Sequence, residues 1–510
     1  MNKKYIDQLK SFFQKIDVKV ITNQELQKLK SDFAKKHNLT KIPLTSDILL
    51  ALEIKNPTKT FVTKPKRTLS GVTVISVMTK PDPCPGKCIY CPTYKDAPKS
   101  YTGFEPAAMR GQLNNFDAYK QVKERLRQLN SIGHPTNKLE LIVMGGTFPA
   151  TPVTYQNKFI IDIYKAVTGS KSNNINTLKK KAMTSQKRII GLTFETRPDF
   201  CNKQIIEKLL IFGGTRVELG VQTTHDDVFE IVKRGHTTKE VIETTKLLKD
   251  SGFKVLYHMM LGLPGSNYKK DLESFKEIFS NPDYCPDMIK IYPCLVTKYT
   301  ILEKMYYSGE YKIYSFEKIV KLIADIKEIV PKWVRIMRVQ RDIPATKIIA
   351  GIQKSNLREY VFMELERRKK KCNCIRCREP NNNLKNINNY KIKEIVYEAS
   401  GGKEYFIYAE KENYLLGFIR LRVPHKPFIK AIDKNTAIVR ELHVYGQATN
   451  FEDKNVQHQG IGKELLTLAE KYAKFEKKSR IAVISGVGVR KYYEKQGYKL
   501  IEPYMIKKIK

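Results

Sequence analysis

Between residues 71 and 295, short β-branched runs alternate with stretches of helical periodicity, and this repetition limits the fold more than any other feature of the chain. The runs are VTVISVM (72–78), LELIVM (139–144), RIIGLTFE (188–195), TRVELGVQ (215–222), KVLYHMMLG (254–262) and MIKIYP (288–293). Stretches such as FDAYKQVKERLRQLNSIG and TKEVIETTKLLKDSGF lie between them, with apolar residues at helical spacing. Repetition of this kind implies parallel strands joined by right-handed crossovers. Six strands are too few for a closed eight-fold barrel, so the expected fold is α/β with a partial, open parallel (β/α)6 barrel. Chemistry in such barrels sits beyond the carboxyl ends of the strands. The sequence places a cysteine loop, GGT (145–147), ETRPD (195–199), GVQTTHDD, GLPG (262–265) and YPCLV there.

The cysteine loop is PDPCPGKCIYCPTY, with Cys84, Cys88 and Cys91 spaced C-x3-C-x2-C. Structural zinc takes four protein ligands. A [4Fe–4S] cluster usually takes four thiolates, so three leave one iron open to a substrate. The rival is a zinc knuckle completed by a distant residue; Tyr90 before the last cysteine and the barrel context favour the cluster. A second triad, Cys372, Cys374 and Cys377, lies in KKKCNCIRCRE, where neighbouring lysines favour thiolates. It reads as structural zinc tying two domains, with Cys201, Cys285 and Cys294 as candidate fourth ligands. The rival is three reduced thiols in a basic linker that faces RNA. Nine cysteines are too few for a disulfide scaffold in 510 residues, and their clustering points to metal in a reducing compartment. The charged start MNKKYIDQLKSFF and the lack of a long apolar run predict a cytoplasmic protein without a membrane span.

Lys and Arg total 92 against 52 Asp and Glu, a formal net charge of +40. Such an imbalance repels itself unless a polyanion offsets it, which points to nucleic acid. An acidic membrane surface is the lesser option, since no basic amphipathic anchor is evident.

A chain of 510 residues exceeds the roughly 250–300 at which one core stops growing. Residues 1–70 form a basic segment, helical at QELQKLKSDFAKKH and extended at FVTKPKRTLSG; it serves as a helical cap, as an arm on a phosphate backbone, or as both. Residues 71–371 form the barrel domain, whose part from 296 onward reads as mainly helical and basic, including WVRIMRVQRDIP and ERRKKK. Residues 372–391 hold the second triad and an Asn-rich linker. Residues 392–510 form a second domain. In it EYFIYAE, YLLGFIRLRV and TAIVRELHVYG read as neighbouring antiparallel strands. The helix GIGKELLTLAEKYAKFE follows, then the strand RIAVISG, a short helix at VRKYYEKQG and a final strand. In QHQGIGKELL, Gly460 and Gly462 open a helix whose free N–H groups suit a pyrophosphate. A dinucleotide fingerprint is the rival, but that needs a parallel βαβ unit.

The cysteine triad, Tyr90 and the Gly-Gly-Thr after the second strand resemble the radical S-adenosylmethionine enzymes. The Q-x-x-G-x-G pattern after an antiparallel strand resembles the acetyl-CoA site of the GNAT acetyltransferases. Their combination resembles the Elongator catalytic subunits in their archaeal single-protein form. That likeness is carried by SYTGFEPAAMR, ELIVMGGTF, ETRPDFC, GHTTKEV, RVQRDIP, NLREY, VRELHVYG, QHQGIG and AVISGVGVRKYYEKQGY, and it spans nearly the whole chain.

The resemblance implies a radical S-adenosylmethionine barrel followed by a GNAT α+β domain. It implies Cys84, Cys88 and Cys91 as [4Fe–4S] ligands, with Gly145, Gly146 and Thr147 lining the S-adenosylmethionine site. Thr147 stands where the superfamily often has Glu. Lys138 matches a lysine at the barrel's acetyl-CoA contact. Glu441, Leu442, His443 and Val444 match the strand that pairs with pantetheine, and Gly460, Ile461, Gly462 and Lys463 match the pyrophosphate turn. Tyr492 and Tyr493 match the helix where a tyrosine lies near the thioester; core packing is their rival reading. Glu195, Arg197, Gln222, His258 and Lys290, near strand ends, are candidates to orient cofactor or base.

The implied activity is synthesis of 5-carboxymethyluridine at U34, the wobble position of tRNA. In the scheme this implies, an adenosyl radical takes hydrogen from the acetyl methyl, the carbon radical adds to uridine C5, and thioester hydrolysis leaves the carboxymethyl group. A radical suits a poorly nucleophilic C5 and a methyl of low acidity. The implied partners are the tRNA anticodon loop, acetyl-CoA and an electron donor, with a homodimer compatible. The alternative is a protein lysine acetyltransferase with a structural iron–sulfur barrel; the +40 charge argues against cationic lysine-rich tails as substrates. A third reading, an RNA-binding scaffold, has no use for an open iron.

Overall fold

The computed structural model describes residues 3–14, 16–17, 20–54, 59–62, 71–380, 389–445 and 460–509. The basic stretch 63–70, most of the Asn-rich linker and residues 457–459 of QHQGIG lie outside them.

Helices Lys3–Phe13, Asn23–Lys36 and Thr45–Ala51 open the chain. Asn23–Lys36 starts at a capping box: Thr22 Oγ1 accepts from the Glu25 amide, and the Glu25 carboxylate accepts from the Thr22 amide at 2.8 Å. Leu9, Phe13, Leu26, Phe33, Ile48 and Phe61 give this segment a small core of its own.

The barrel strands are β1 (Thr73–Met78), β2 (Lys138–Met144), β3 (Arg188–Thr196), β4 (Arg216–Gln222), β5 (Lys254–Leu261) and β6 (Met288–Pro293). All six expected runs form strands, and each pairs in parallel with the next. Two-residue β7 (Val296–Thr297) pairs antiparallel with β9 (Ile348–Ala350). The stretch WVRIMRVQRDIP corrects the helical reading of that part of the chain. It contains β8 (Arg335–Arg338), which pairs in parallel with β6 and extends the open sheet to seven strands.

The second sheet contains β10 (Lys391–Ala399), β11 (Gly402–Lys411), β12 (Tyr414–Val423), β13 (Thr436–Val444), β14 (Arg480–Val483), β15 (Lys499–Ile501) and β16 (Tyr504–Lys508). Its order is β10-β11-β12-β13-β14-β16-β15, antiparallel throughout except for β13 with β14. Helix Ile461–Phe475 covers one face with Leu465, Leu466, Ala469 and Ala473. Ile438, Ala482, Ile484 and Ile506 join the core of the barrel domain instead.

The contact between the domains is built from charge and from glycine. Asp287, just before β6, receives both Arg440 of β13 and Lys249; Glu404 of β11 receives Arg440 and Arg422, and Arg422 also reaches Asp250. These six side chains are buried. Gly486 and Gly488 lie against the start of β3, where a Cβ would stand 2.2 Å from the Ile190 carbonyl oxygen and 2.6 Å from the Ile189 nitrogen. Only glycine permits so close a backbone approach. The second sheet thus docks on the amino ends of the barrel strands, opposite the cysteine loop. Among the described residues no helix is long and apolar enough to cross a membrane.

Candidate active site

The loop after β1 carries the three cysteines to the barrel mouth. Cys88 is buried and Cys84 and Cys91 are half-buried. Arg234 Nη1 donates to Cys88 Sγ at 3.3 Å, and Arg197 Nη1 lies 4.0 Å from the same sulfur. A hydrogen bond from Cys91 and the charges of both arginines lower the Cys88 pKa to about 4, against the opposing effect of burial. Arg197 is held by Asp199 and by the Arg234 carbonyl at 2.8 Å. Arg234 Nε donates to His236 Nε2 at 3.0 Å. Burial and the Arg234 charge lower the His236 pKa to about 4, so this imidazole accepts as a neutral ring.

Gly145, Gly146 and Thr147 follow β2 at the same end. Gly145 and Gly146 have φ of 135° and 74°, and a Cβ at Gly145 would stand 1.9 Å from Thr79 Oγ1. Thr147 Oγ1 lies 3.6 Å from Cys84 Sγ, which ties the glycine turn to the cysteine loop. Cys84 Sγ also accepts from the Gly86 amide at 3.4 Å.

The spacing of the sulfurs separates the two triads. Cys372, Cys374 and Cys377 hold their sulfurs within 4.8 Å of one another, with 3.5 Å between Cys374 and Cys377. Zn–S bonds of about 2.3 Å in a tetrahedron require sulfurs roughly 3.8 Å apart, so this group suits a single ion. Cys84, Cys88 and Cys91 do not form such a compact group among the described residues: Cys91 bonds Cys88, while Cys84 turns to Thr147 and the Gly86 amide. Three cysteine sulfurs gathered in one loop, two arginines that hold Cys88 ionised, and a glycine turn beside Cys84 fit a resident iron–sulfur cluster. The second triad is also anchored between domains: the Ile375 amide donates to the Val334 carbonyl at 3.0 Å, and Arg378 pairs with Glu410 of β11 at 3.0 Å. Hydrogen bonds from Cys372 and Cys377 hold the Cys374 pKa well below the usual thiol value. Among the described residues Cys201, Cys285 and Cys294 do not join this group.

The inner face of the half-barrel is charged. Glu195 of β3 and Glu218 of β4 are register neighbours, as are His258 of β5 and Lys290 of β6. Lys290 Nζ bonds Glu218 and lies 3.8 Å from Glu195. Burial would discharge Lys290, yet Glu218 and Glu195 raise its pKa and keep it an ammonium. His258 Nε2 meets Glu218 at 2.9 Å, and the Tyr101 hydroxyl donates to Glu195 at 2.7 Å. Below them, Arg216 pairs with Glu140 and lies 3.4 Å from Glu218. Against its burial, Glu140, Glu218 and Glu441 hold the Arg216 pKa above the usual arginine value. Gln222 lies beside Arg234: a Cβ at Gly220 would meet both side chains within 3.0 Å.

Glu441, Leu442, His443 and Val444 end β13. Glu441 pairs with Arg420 at 2.9 Å; burial raises its pKa, but Arg420 and Lys254 hold it below the usual carboxylate value. His443 stacks on Phe418 with centroids 5.8 Å apart. Gly460, with φ of 86°, caps the helix that begins Ile461, Gly462, Lys463, and Lys463 is exposed. A Cβ at Gly462 would stand 3.5 Å from both the Tyr492 hydroxyl and Val444 Cγ2, so turn, strand and tyrosine meet at one point. Tyr493 points elsewhere, into the domain core beside Tyr498. Lys138 opens β2 beside Arg188, at the barrel end that meets the second sheet, away from the cysteine loop. Burial and Arg188 lower its pKa.

A Radical SAM superfamily model matches residues 81–278, a Radical_SAM C-terminal domain model 286–367, and an Acetyltransferase (GNAT) family model 369–498. A tRNA uridine(34) acetyltransferase of Methanocaldococcus jannaschii is 50% identical, the match covering 87% of this chain and 85% of the relative. The Elongator complex protein 3 of Schizosaccharomyces pombe is 40% identical over 94% of each chain. The chain belongs to the Elongator complex protein 3 family. The structure of an N-terminally truncated Methanocaldococcus infernus Elp3 superposes with a TM-score of 0.78 at 44% identity, covering 86% of this chain and 100% of that one. Membership in the Elongator complex protein 3 family brings S-adenosylmethionine, a [4Fe–4S] cluster and acetyl-CoA as cofactors and co-substrate.

Arg234, His236, Glu218 and Tyr101 were not singled out from sequence. Glu218 had a signal: in RVELGVQ it alternates with apolar residues, as His258 and Lys290 do in their strands. Charges at every second position of otherwise apolar strands mark a polar inner face.

Proposed function

We propose that this chain makes 5-carboxymethyluridine at the wobble position of tRNA from acetyl-CoA, in the cytoplasm, with an external one-electron donor. One observation carries the reading. The strand that would hold acetyl-CoA, β13, projects Glu441 into the foot of a half-barrel whose charged inner face leads up to the cysteine loop. The family relatives and the +40 charge support the same reading.

Cys84, Cys88 and Cys91 would hold the cluster, and Gly145, Gly146 and Thr147 would border S-adenosylmethionine. Together, when bound, these cofactors supply one-electron chemistry able to take hydrogen from an unactivated methyl group. Arg234 and Arg197 keep Cys88 ionised and exclude water from its sulfur. Gly460 to Lys463 would take the pyrophosphate at the helix amino terminus. The Tyr492 hydroxyl, beside Gly462, would give the departing thiolate a proton. Lys290, fixed by two carboxylates, would donate to a uracil or acyl carbonyl, and His258, fixed by Glu218, would orient it. Cys372, Cys374 and Cys377 would hold zinc as a brace between the domains; Cys374→Ser should lose one zinc by elemental analysis.

The test is anaerobic reconstitution with tRNA, acetyl-CoA, S-adenosylmethionine and a reductant, followed by nucleoside mass spectrometry. Carboxymethylated uridine is expected. Acetylated protein lysine with no modified nucleoside would overturn the reading.

A further inference from the structure

Three aromatic rings stand at the barrel mouth outside the chemistry described so far. Tyr94 follows the last cluster cysteine by three residues. Its ring meets Tyr299 edge-on, with centroids 5.0 Å apart at 84°, and Phe104 at 6.5 Å and 82°. Tyr299 is 65% exposed and Phe104 40%. The edge-on contacts use only part of each ring, and the exposed surfaces of Tyr299 and Phe104 are open to a planar ligand. Lys347 Nζ sits 3.7 Å from the Phe104 centroid, and Lys95 and Lys298 are exposed beside the same rings in sequence.

Tyr299 is also fixed rather than loose. Its φ of 64° lies in the left-handed region, unfavourable for a ring-bearing residue. Its amide donates to Glu303 at 2.8 Å, and the Leu302 amide donates to the Ile89 carbonyl, inside the cysteine loop, at 3.0 Å. Strain of this kind persists where surrounding contacts impose it, commonly at ligand-binding positions.

We infer that Tyr94, Phe104 and Tyr299 form a stacking platform for the unpaired bases that flank the modified uridine, with Lys95, Lys298 and Lys347 on the adjoining phosphates. The inference rests on the tRNA reading above. Single-stranded RNA is the occupant that fits: its bases offer faces to aromatic rings, and its backbone complements lysines on a chain of net charge +40. An apolar protein segment would not use the ammonium groups.

The probe is a synthetic anticodon stem–loop with 2-aminopurine next to the wobble uridine, titrated anaerobically into the reconstituted full chain. Wild type should quench the fluorophore. Tyr299→Ala and Phe104→Ala should each weaken binding about five- to hundredfold and reduce the quench, while Tyr299→Phe keeps both. The alanine variants are compared at a melting temperature equal to wild type; Tyr299→Ser serves if either fails to fold. Alanine variants that bind and quench like wild type would overturn the platform alone. A wild-type chain that retains neither stem–loop nor intact tRNA would overturn the platform and the tRNA reading together.

Discussion

Arg440 of β13 donates to both carboxylate oxygens of Asp287, at 2.6 and 2.7 Å, and this fork joins the acetyltransferase sheet to the foot of the half-barrel. Lys249, Arg420 and Glu404 crowd the same pair, all shielded from water. The two domains are therefore set in a fixed relation. A buried pair contributes little over an apolar contact, but removing one partner strands the other charge at a cost of about 3–5 kcal/mol.

Asp287→Ala should accordingly destabilise the chain by about 3–5 kcal/mol. Denaturant melts followed by circular dichroism read this directly. Asp287→Asn should lose part of that, since it keeps one acceptor for Arg440. A variant within about 0.5 kcal/mol of wild type would mean that the interface carries no stability.

The same carboxylates set a pH dependence. Burial raises the pKa of Asp287 and Glu404, but Arg440 and Lys249 outweigh it and hold both below their usual values. The unfolded chain protonates these groups near pH 4, before the folded chain does. Stability they provide is therefore full above that pH and falls as the medium is acidified through the lower native values. The melting temperature should drop between about pH 5 and 3, and the slope should be shallower in Asp287→Asn.

The barrel is legible because its strands are apolar runs of six to nine residues that alternate with stretches of helical periodicity. Arg335–Arg338 escaped notice because four residues with Arg at both ends show no period. Lys391–Ala399 escaped for another reason: it is an edge strand whose outward residues are largely exposed Lys and Glu, so no apolar run announces it. Cysteines and glycines of the site were readable because their spacing is local. Arg234 was not, since it reaches Cys88 across 146 residues of chain. The charged column from Arg216 to Lys290 needs the strand register to exist at all.

Gly486 tests how tightly the domains dock. Its φ is an ordinary −57°, so backbone strain is not the issue. A methyl there would meet the Ile190 carbonyl oxygen at 2.2 Å, and neither backbone can retreat without moving a domain. Gly486→Ala should cost about 1–3 kcal/mol by overpacking. Thermal melts check it, and Gly169→Ala, with nothing within 4 Å but a φ of +71°, separates clash from backbone strain.

The adjacent tyrosines should divide their labour. Tyr492 is partly exposed with its hydroxyl near the helix turn at Gly462, whereas Tyr493 is buried against Tyr498 and the sheet. Burial raises both pKa values, so each hydroxyl stays protonated at neutral pH. Of the two, only the Tyr492 hydroxyl lies beside the Gly462 turn, where the proposed function puts acetyl-CoA. Tyr492→Phe should lower kcat for tRNA-stimulated release of free CoA by about a hundredfold or more, with KM for acetyl-CoA little changed. Tyr493→Phe should act on the melting temperature rather than on kcat. Thiol titration of released CoA measures both, and equal loss of turnover in the two variants would remove Tyr492 from the role of proton donor.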